Sequence, residues 1–212
     1  MNKKNLFKNI VEWIGCIIIA IVLALLFRYF IGTPTIVKMS SMYPTLEQND
    51  RLWLNRIPRT TKSLPNRGEI ITFERPIQTT YTDLTIDKNY PKAKYNKKVG
   101  IQWFIYNFLE IGKYSYIKRV IALPGEHVKI EEGKIYINGD MLKEHYLQEN
   151  VITNIKETGY NDFVVPENYI FAMGDNRENS IDCRDFGCIP LEKIESIVSI
   201  RIWPLNKLGE IK

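Results

Sequence analysis

The residues able to do chemistry fall in three short blocks. The first is Ser40-Ser41-Met42-Tyr43-Pro44-Thr45-Leu46, the second runs from Tyr116 to Glu126, and the third from Met173 to Gly187. A serine beside a proline turn is either a turn former or a nucleophile. Neither histidine sits in a suggestive motif, so a Ser-His-Asp triad has little support. Lys118 lies inside an apolar run, Ile117-Lys118-Arg119-Val120-Ile121. On the outer face of a strand it is an ordinary solvated lysine. Pointing inward, it loses water, its pKa falls, and it becomes a usable base. The third block packs Asp, Asn, Arg and Ser densely between apolar strands. That is either a loop of turn hydrogen bonds or a buried polar network beside a site.

Composition narrows the setting. The chain has 212 residues, with 45% hydrophobic and 12% aromatic side chains, enough for a core and incompatible with disorder. Three cysteines are too few for a disulfide framework. With only two histidines and no C-x-x-C or H-x-x-x-H spacing, no metal site is expected, and no cofactor. The net charge of +5 raises the question of nucleic acid. Residues 1 to 31, however, hold Lys3, Lys4, Lys8 and Arg28 against Glu12 alone, leaving only +2 for the rest. A nearly neutral remainder argues against a nucleic-acid surface.

The blocks must be carried by an anchor and a β domain. Trp13 to Phe27 is an unbroken uncharged run, and with its flanks the apolar stretch covers residues 10 to 31. As a helix it is about 33 Å long, enough to cross a hydrocarbon core of about 30 Å. Trp13 and Tyr29 suit the two interfaces. A buried soluble helix is seldom apolar on every face for this length. A cleaved signal peptide needs small residues after the apolar core, and here Phe27-Arg28-Tyr29-Phe30 follows. An uncleaved single-pass anchor is therefore expected. Lys3, Lys4 and Lys8 put the N-terminus in the cytoplasm and the rest outside the cytoplasmic membrane. The expected organisation is a tail (1–9), an anchor (10–31) and an extracytoplasmic domain (32–212), taken as a monomer.

That domain reads as mainly β. Arg51 to Asn55 alternates, Glu69 to Phe73 is a short apolar run, and His127–Ile130 and Lys134–Ile137 flank a Gly133 turn. Asn138-Gly139 signals a type I′ turn. Ser196 to Trp203 is expected to place Val198, Ile200 and Ile202 on one face. Residues 76–115 break the pattern. Lys88, Lys92, Lys94, Lys97 and Lys98 face only Asp87, and Ile101, Phe104, Ile105 and Phe108 follow at helical spacing. The favoured reading is a solvated basic loop followed by a core-packed helix. The sharper one is a patch on anionic lipid, with Trp103 and Phe104 dipping in.

Together the blocks resemble the bacterial type I signal peptidases, membrane-anchored Ser-Lys proteases that cut signal peptides from exported proteins. Ser41-Met42-Tyr43-Pro44-Thr45-Leu46 matches that family's S-M-x-P-T-L box in full. Tyr116 to Glu126 matches Y-I-K-R-V-[IV]-G-L-P-G-[DE] except at Ala122. Gly174 to Gly187 matches G-D-N-R-x-N-S-x-D-S-R-x-[FYW]-G except at Cys183, and Arg67-Gly68-Glu69-Ile70 looks like R-G-D-[IV]. The order also agrees. The resemblance spans nearly the whole chain apart from 76–115 and about 140–165, which it leaves as variable insertions.

The resemblance implies an antiparallel β-sheet protease domain behind a transmembrane helix. Ser41 would be the nucleophile, Lys118 the general base, and Ser180 the residue whose hydroxyl holds the lysine amine. It implies cleavage after small residues at −1 and −3, the Ala-x-Ala pattern, through shallow pockets lined by Val37, Met42, Tyr116 and Ile117. Arg119, Asp175, Asp182 and Arg184 would brace the site, and Asn176 and Arg177 would form turns. The oxyanion donor two residues before the nucleophile is usually Ser or Gly, but here it is Met39. The Ser41 backbone N–H remains. Either Ser40 or water substitutes, or one donor suffices, or the enzyme is weakened. Cys183 and Cys188 form a disulfide or remain two thiols. The implied partners are signal peptides of secretory preproteins and the lipid bilayer. Two alternatives stand beside this. A self-cleaving repressor-type Ser-Lys protease would need a DNA-binding domain. A membrane-tethered β domain could bind peptides without cutting them.

Overall fold

The structure, a computed structural model, describes residues 3–77 and 87–211. Residues 78–86, within the 76–115 stretch, and the first two residues of the expected tail lie outside the described residues. Helix α1 (Lys3–Phe30) comes first, beginning before the apolar stretch does at Ile10. Its segment Lys8–Phe30 has mean hydropathy 2.8 and buries none of its most apolar window against the protein. A helix apolar on every face that meets the rest of the protein only through its last turn has the length and composition of a membrane span.

The rest is mainly β. In chain order come β1 (Gly32–Ile36), β2 (Arg51–Asn55), α2 (Ile57–Thr61), β3 (Ile70–Glu74), α3 (Gly100–Asn107) and β4 (Ser115–Ala122). There follow β5 (His127–Glu131), β6 (Lys134–Ile137), β7 (Asp140–Met141), β8 (Asp162–Val164) and β9 (Tyr169–Met173). The chain ends with α4 (Cys183–Phe186), β10 (Ile189–Pro190), β11 (Ile194–Trp203) and β12 (Gly209–Glu210). The main sheet runs β1-β2-β11-β3-β4-β9-β10, with β12 on β11, and the second β7-β6-β5-β8. All of these strand pairs are antiparallel.

The expected hairpin is present as β5–β6, with Glu132 and Gly133 at positive φ, where glycine tolerates the turn best. Strand β11 departs from expectation. Register shifts at Val198/Ile200 and Arg201/Trp203 break its alternation, so Val198 is buried while Ile200 is exposed. A bulge inserts a residue and flips the side chains beyond it, which period-two counting misses.

Two apolar clusters form the interior. The larger joins the sheets through Ile71, Phe73, Val120, Val128, Ile135, Phe163 and Phe171. The smaller, Val37, Met42, Leu46, Leu52, Leu54, Ile70 and Val198, lies under the first chemical block. Helix α3 belongs to neither, which corrects the reading of a core-packed helix: it has no buried residue. Its end is held elsewhere, Phe108 against Tyr29 at 5.0 Å between ring centroids and Glu110 ion-paired to Arg28 and Arg56. The five lysines do not form one patch either. Lys92 lies over the Tyr169 ring and Lys98 over that of Tyr106, on different elements.

One feature of the main sheet bears on function. β3 pairs with β4 from Ser115 to Arg119, whereas β9 pairs with it only from Arg119 onward. Among the described residues, the β9 side of Ser115–Lys118 is thus an unpaired strand edge beside Lys118. Such an edge accepts an extended peptide.

Candidate active site

The nucleophile candidate sits on a loop pinned at several points. Val37 and Asp50 close its neck, through Val37 N–H to the Asp50 carbonyl and Asn49 N–H to the Val37 carbonyl, both 2.9 Å. Met42 and Leu46 sink into the smaller cluster as fully buried anchors, and Leu46 N–H reaches the Met42 carbonyl at 2.8 Å. Ser41 rides on this turn and is half-buried.

The far wall holds the same turn. Asn176 N–H donates to the Ser41 carbonyl at 3.0 Å, and its Nδ2 to the Ser40 carbonyl at 3.1 Å. Thr45 Oγ1 donates to Asp175 Oδ2 at 2.5 Å. Arg119 grips both Asp175 oxygens, at 2.8 Å from Nη2 and 3.0 Å from Nε, and its Nη1 donates to the Gly68 carbonyl at 2.8 Å. Arg201 also donates to the Thr45 carbonyl. The spacing Ser41…Thr45…Asp175-Asn176 thus becomes one clamp. Asn176, read from sequence only as a turn former, fixes the peptides on both sides of Ser41. Thr45 and Arg201 were not singled out at all. Thr45 lies within the first block, while nothing local marks Arg201.

Lys118 comes from the middle of β4, 2% exposed. Its Nζ is 2.7 Å from Ser41 Oγ and donates to the Ile117 carbonyl at 3.1 Å. Residues 77 positions apart in sequence are therefore in hydrogen-bond contact. Burial strips the ammonium of water and lowers its pKa to about 8, against the attraction of Asp182 and Asp175, which favours the charged form. At pH 7 about a tenth of such a lysine is neutral, roughly 300 times more than for a solvated one.

Asp182 and Arg184 are both fully buried and paired, Nη2 to Oδ2 and Nε to Oδ1 at 2.9 Å. Burial opposes ionisation of Asp182, but the hydrogen bonds and charge of Arg184 outweigh it and hold the carboxyl below its usual range. Asp182 also caps α4 and accepts the Gly174 N–H at 3.1 Å. Arg177 is buried too. It pairs with Glu144 and bonds Thr153 Oγ1 at 2.5 Å, tying the 140–165 insertion to the third block.

Ser180 is 2% exposed, but its Oγ has no hydrogen-bond partner among the described residues, and the expected contact to Lys118 is not formed in this structure. It packs on Gly174. A Cβ there would stand 2.2 Å from Ser180 Oγ and 2.4 Å from the Ser41 carbonyl oxygen, so only glycine lets the two serines approach.

Of the pocket residues, Val37, Met42 and Ile117 meet in the smaller cluster, and Val37 and Met42 are nearly sealed inside it. Tyr116 instead packs against Phe73 and Phe186, on the Lys118 face of β4. Met39 is 62% exposed and bears no donor. The Ser41 N–H engages no acceptor among the described residues. Cys183 and Cys188 are buried free thiols, not a disulfide, and burial pushes both thiols up.

A serine hydroxyl in contact with a buried lysine amine is an arrangement in which the amine, when neutral, can accept the hydroxyl proton. A match to the family described as signal peptidase, peptidase S26, spans residues 10–203. A probable signal peptidase I-2 of Synechocystis is 32% identical, over 90% of this chain and 72% of its own length. A signal peptidase I of Bacillus licheniformis is 32% identical over 98% and 94%. Signal peptidase I P of Bacillus subtilis subsp. natto is 31% identical over the whole of both chains. The chain belongs to the signal peptidase family, peptidase S26, and is a hydrolase of the signal peptidase I type.

Proposed function

We propose that this protein is a single-pass membrane endopeptidase that removes signal peptides from exported preproteins with Ser41 as nucleophile and Lys118 as general base. The observation that carries the reading is the 2.7 Å contact between Ser41 Oγ and a lysine that is 2% exposed. With Lys118 neutral, the Ser41 hydroxyl donates to Nζ. As Oγ attacks the scissile carbonyl carbon, its proton passes to Nζ. The Ser41 N–H stabilises the oxyanion. Collapse expels the new N-terminal amine, which takes the proton from Lys118. Water then gives a proton to Lys118 as it attacks the ester, that proton passes to Ser41 Oγ as the ester bond breaks, and the freed carboxylic acid gives its remaining proton to solvent so that the signal peptide leaves as a carboxylate.

Ser180 is assigned to orienting the amine. A buried hydroxyl without a partner is costly, by about 1–3 kcal/mol, and rotation toward Nζ relieves that cost. Arg119, Asp175, Asp182 and Arg184 brace the site. The preprotein adds as a strand along Ser115–Lys118, and pockets near Val37, Met42, Tyr116 and Ile117 admit Ala-sized side chains at −1 and −3. Residues 1–9 face the cytoplasm, 10–31 cross the cytoplasmic membrane, and the catalytic domain, 32–212, acts outside as a monomer. The test is cleavage of a precursor by the purified protein in detergent. N-terminal sequencing should place the cut after Ala-x-Ala, and leucine at −1 should block it. A precursor that binds and stays intact, or is cut elsewhere, refutes the reading.

A further inference from the structure

Helix α3 is an apolar surface without a protein cover. Ile101, Trp103, Phe104 and Ile105 are 70, 46, 42 and 38% exposed. So many large apolar groups on two helical turns call for something to cover them. The helix's position says what that is. Its end is fastened to the last turn of α1 by the Tyr29–Phe108 contact and the Arg28–Glu110 pair, and Arg59 lies 4.3 Å over the Tyr29 ring. Phe104 stacks on Phe108 at 5.0 Å, continuing the aromatic row into α3. The exposed surface of α1 and that of α3 are therefore continuous, and one apolar medium covers both.

Behind α3 lies a cavity of about 460 Å³ with Tyr29 and Trp103 in its wall. Six cationic side chains line it against three carboxylates. Glu74 is taken by Lys98 and Lys193, and Glu195 by Lys113. Lys62 and Lys97 make no ion pair among the described residues. Glu192 is likewise without an ion pair among the described residues, so the cavity offers two uncommitted ammonium groups against one uncommitted carboxylate, beside an aromatic at the end of a membrane span.

We propose that α3 lies in the headgroup layer of the bilayer that α1 crosses, and that the cavity behind it takes the phosphate of an anionic phospholipid. Trp103 sits at the interface, Ile101, Phe104 and Ile105 enter the acyl boundary, and Lys62 and Lys97 supply the charge. Of the 88–98 cluster only Lys97 and Lys98 take part; Lys88 lies by Gly159 and Lys92 by Tyr169. The proposal rests on α1 spanning the membrane, and the test reports that separately.

The full chain is placed in nanodiscs containing phosphatidylglycerol and phosphatidylcholine, with brominated acyl chains on one or the other at equal mole fraction. The tryptophan fluorescence of the wild type minus that of Trp103→Phe isolates Trp103, and the wild type minus Trp13→Phe isolates Trp13, which reports insertion of α1; Trp53 and Trp203 cancel in both differences. The Trp103 signal should be quenched at least about twofold more strongly by brominated phosphatidylglycerol. Lys62→Gln/Lys97→Gln should abolish that preference without changing cleavage of a short soluble peptide. Quenching of Trp13 without Trp103 would overturn the placement of α3. Equal quenching of Trp103 by both lipids in the wild type would overturn the headgroup site. Absence of Trp13 quenching would instead strike at the anchor itself, and the proposal would fall with it.

Discussion

Lys118→Met should kill the enzyme and stabilise the fold. The folded pKa of Lys118 is about 8 against an ordinary 10.5, because burial penalises the ammonium. A shift of this size corresponds to about 3 kcal/mol of strain when the lysine is forced to stay charged. The sign follows from proton binding. Below pH 8 both states hold the proton, and the folded state bears the full burden. Between pH 8 and 10.5 the unfolded chain holds more protons than the folded one, so wild-type stability rises with pH across that window. Methionine fills similar space without charge. It gives up the bonds to Ser41 Oγ and the Ile117 carbonyl, a loss of about 1 kcal/mol each, or about 2 kcal/mol together. The net gain at pH 7 is then about 1 kcal/mol, or roughly 3 °C in Tm for a domain of this size. Denaturant unfolding of wild type and Lys118→Met in detergent, at pH 7 and pH 10, measures it. The variant should be the more stable at pH 7 and lose its advantage by pH 10. A variant less stable at pH 7, or a difference independent of pH, would refute the claim that Lys118 is held in a site that disfavours its charge.

Three further outcomes follow from the geometry. The value of kcat/KM should rise about tenfold per pH unit below pH 8 and level off above it, since only neutral Lys118 accepts the Ser41 proton; a flat profile from pH 6 to 9 would remove Lys118 as the base. Asn176→Ala deletes the bond to the Ser40 carbonyl and should lower kcat by about tenfold with stability changed by less than about 1 kcal/mol; an unchanged kcat would show that the clamp does not position the nucleophile. Gly174→Ala puts a methyl 2.2 Å from Ser180 Oγ and 2.4 Å from the Ser41 carbonyl, so activity should fall at least about 100-fold while circular dichroism keeps the β signature; near-normal turnover would mean the two serines need not approach.

Much of this was legible in the chain, for different physical reasons. The span was read from length and uniform apolarity, which need no tertiary context. Ser41 and Lys118 were found through their blocks, but their contact is a product of topology: β4 carries one, a loop folded onto the β1–β2 end of the sheet carries the other. What failed was reading context into local pattern. The spacing of Ile101, Phe104, Ile105 and Phe108 reports an amphipathic helix, not which medium covers its apolar face, and α3 has no core to cover. Lysines close in sequence between 88 and 98 diverge because their side chains settle on different elements, Lys92 over Tyr169 of β9 and Lys98 over Tyr106 of α3. Ser180 was identified by its block, yet its hydroxyl direction is set by packing on Gly174, which no spacing encodes.

The most direct test of the central claim is precursor turnover by Ser41→Ala and Lys118→Met beside the wild type, under single-turnover conditions in detergent. The Ser41–Lys118 account predicts that each variant loses about 1,000-fold or more while still binding the precursor. Cleavage at near-wild-type rate by either variant would contradict it.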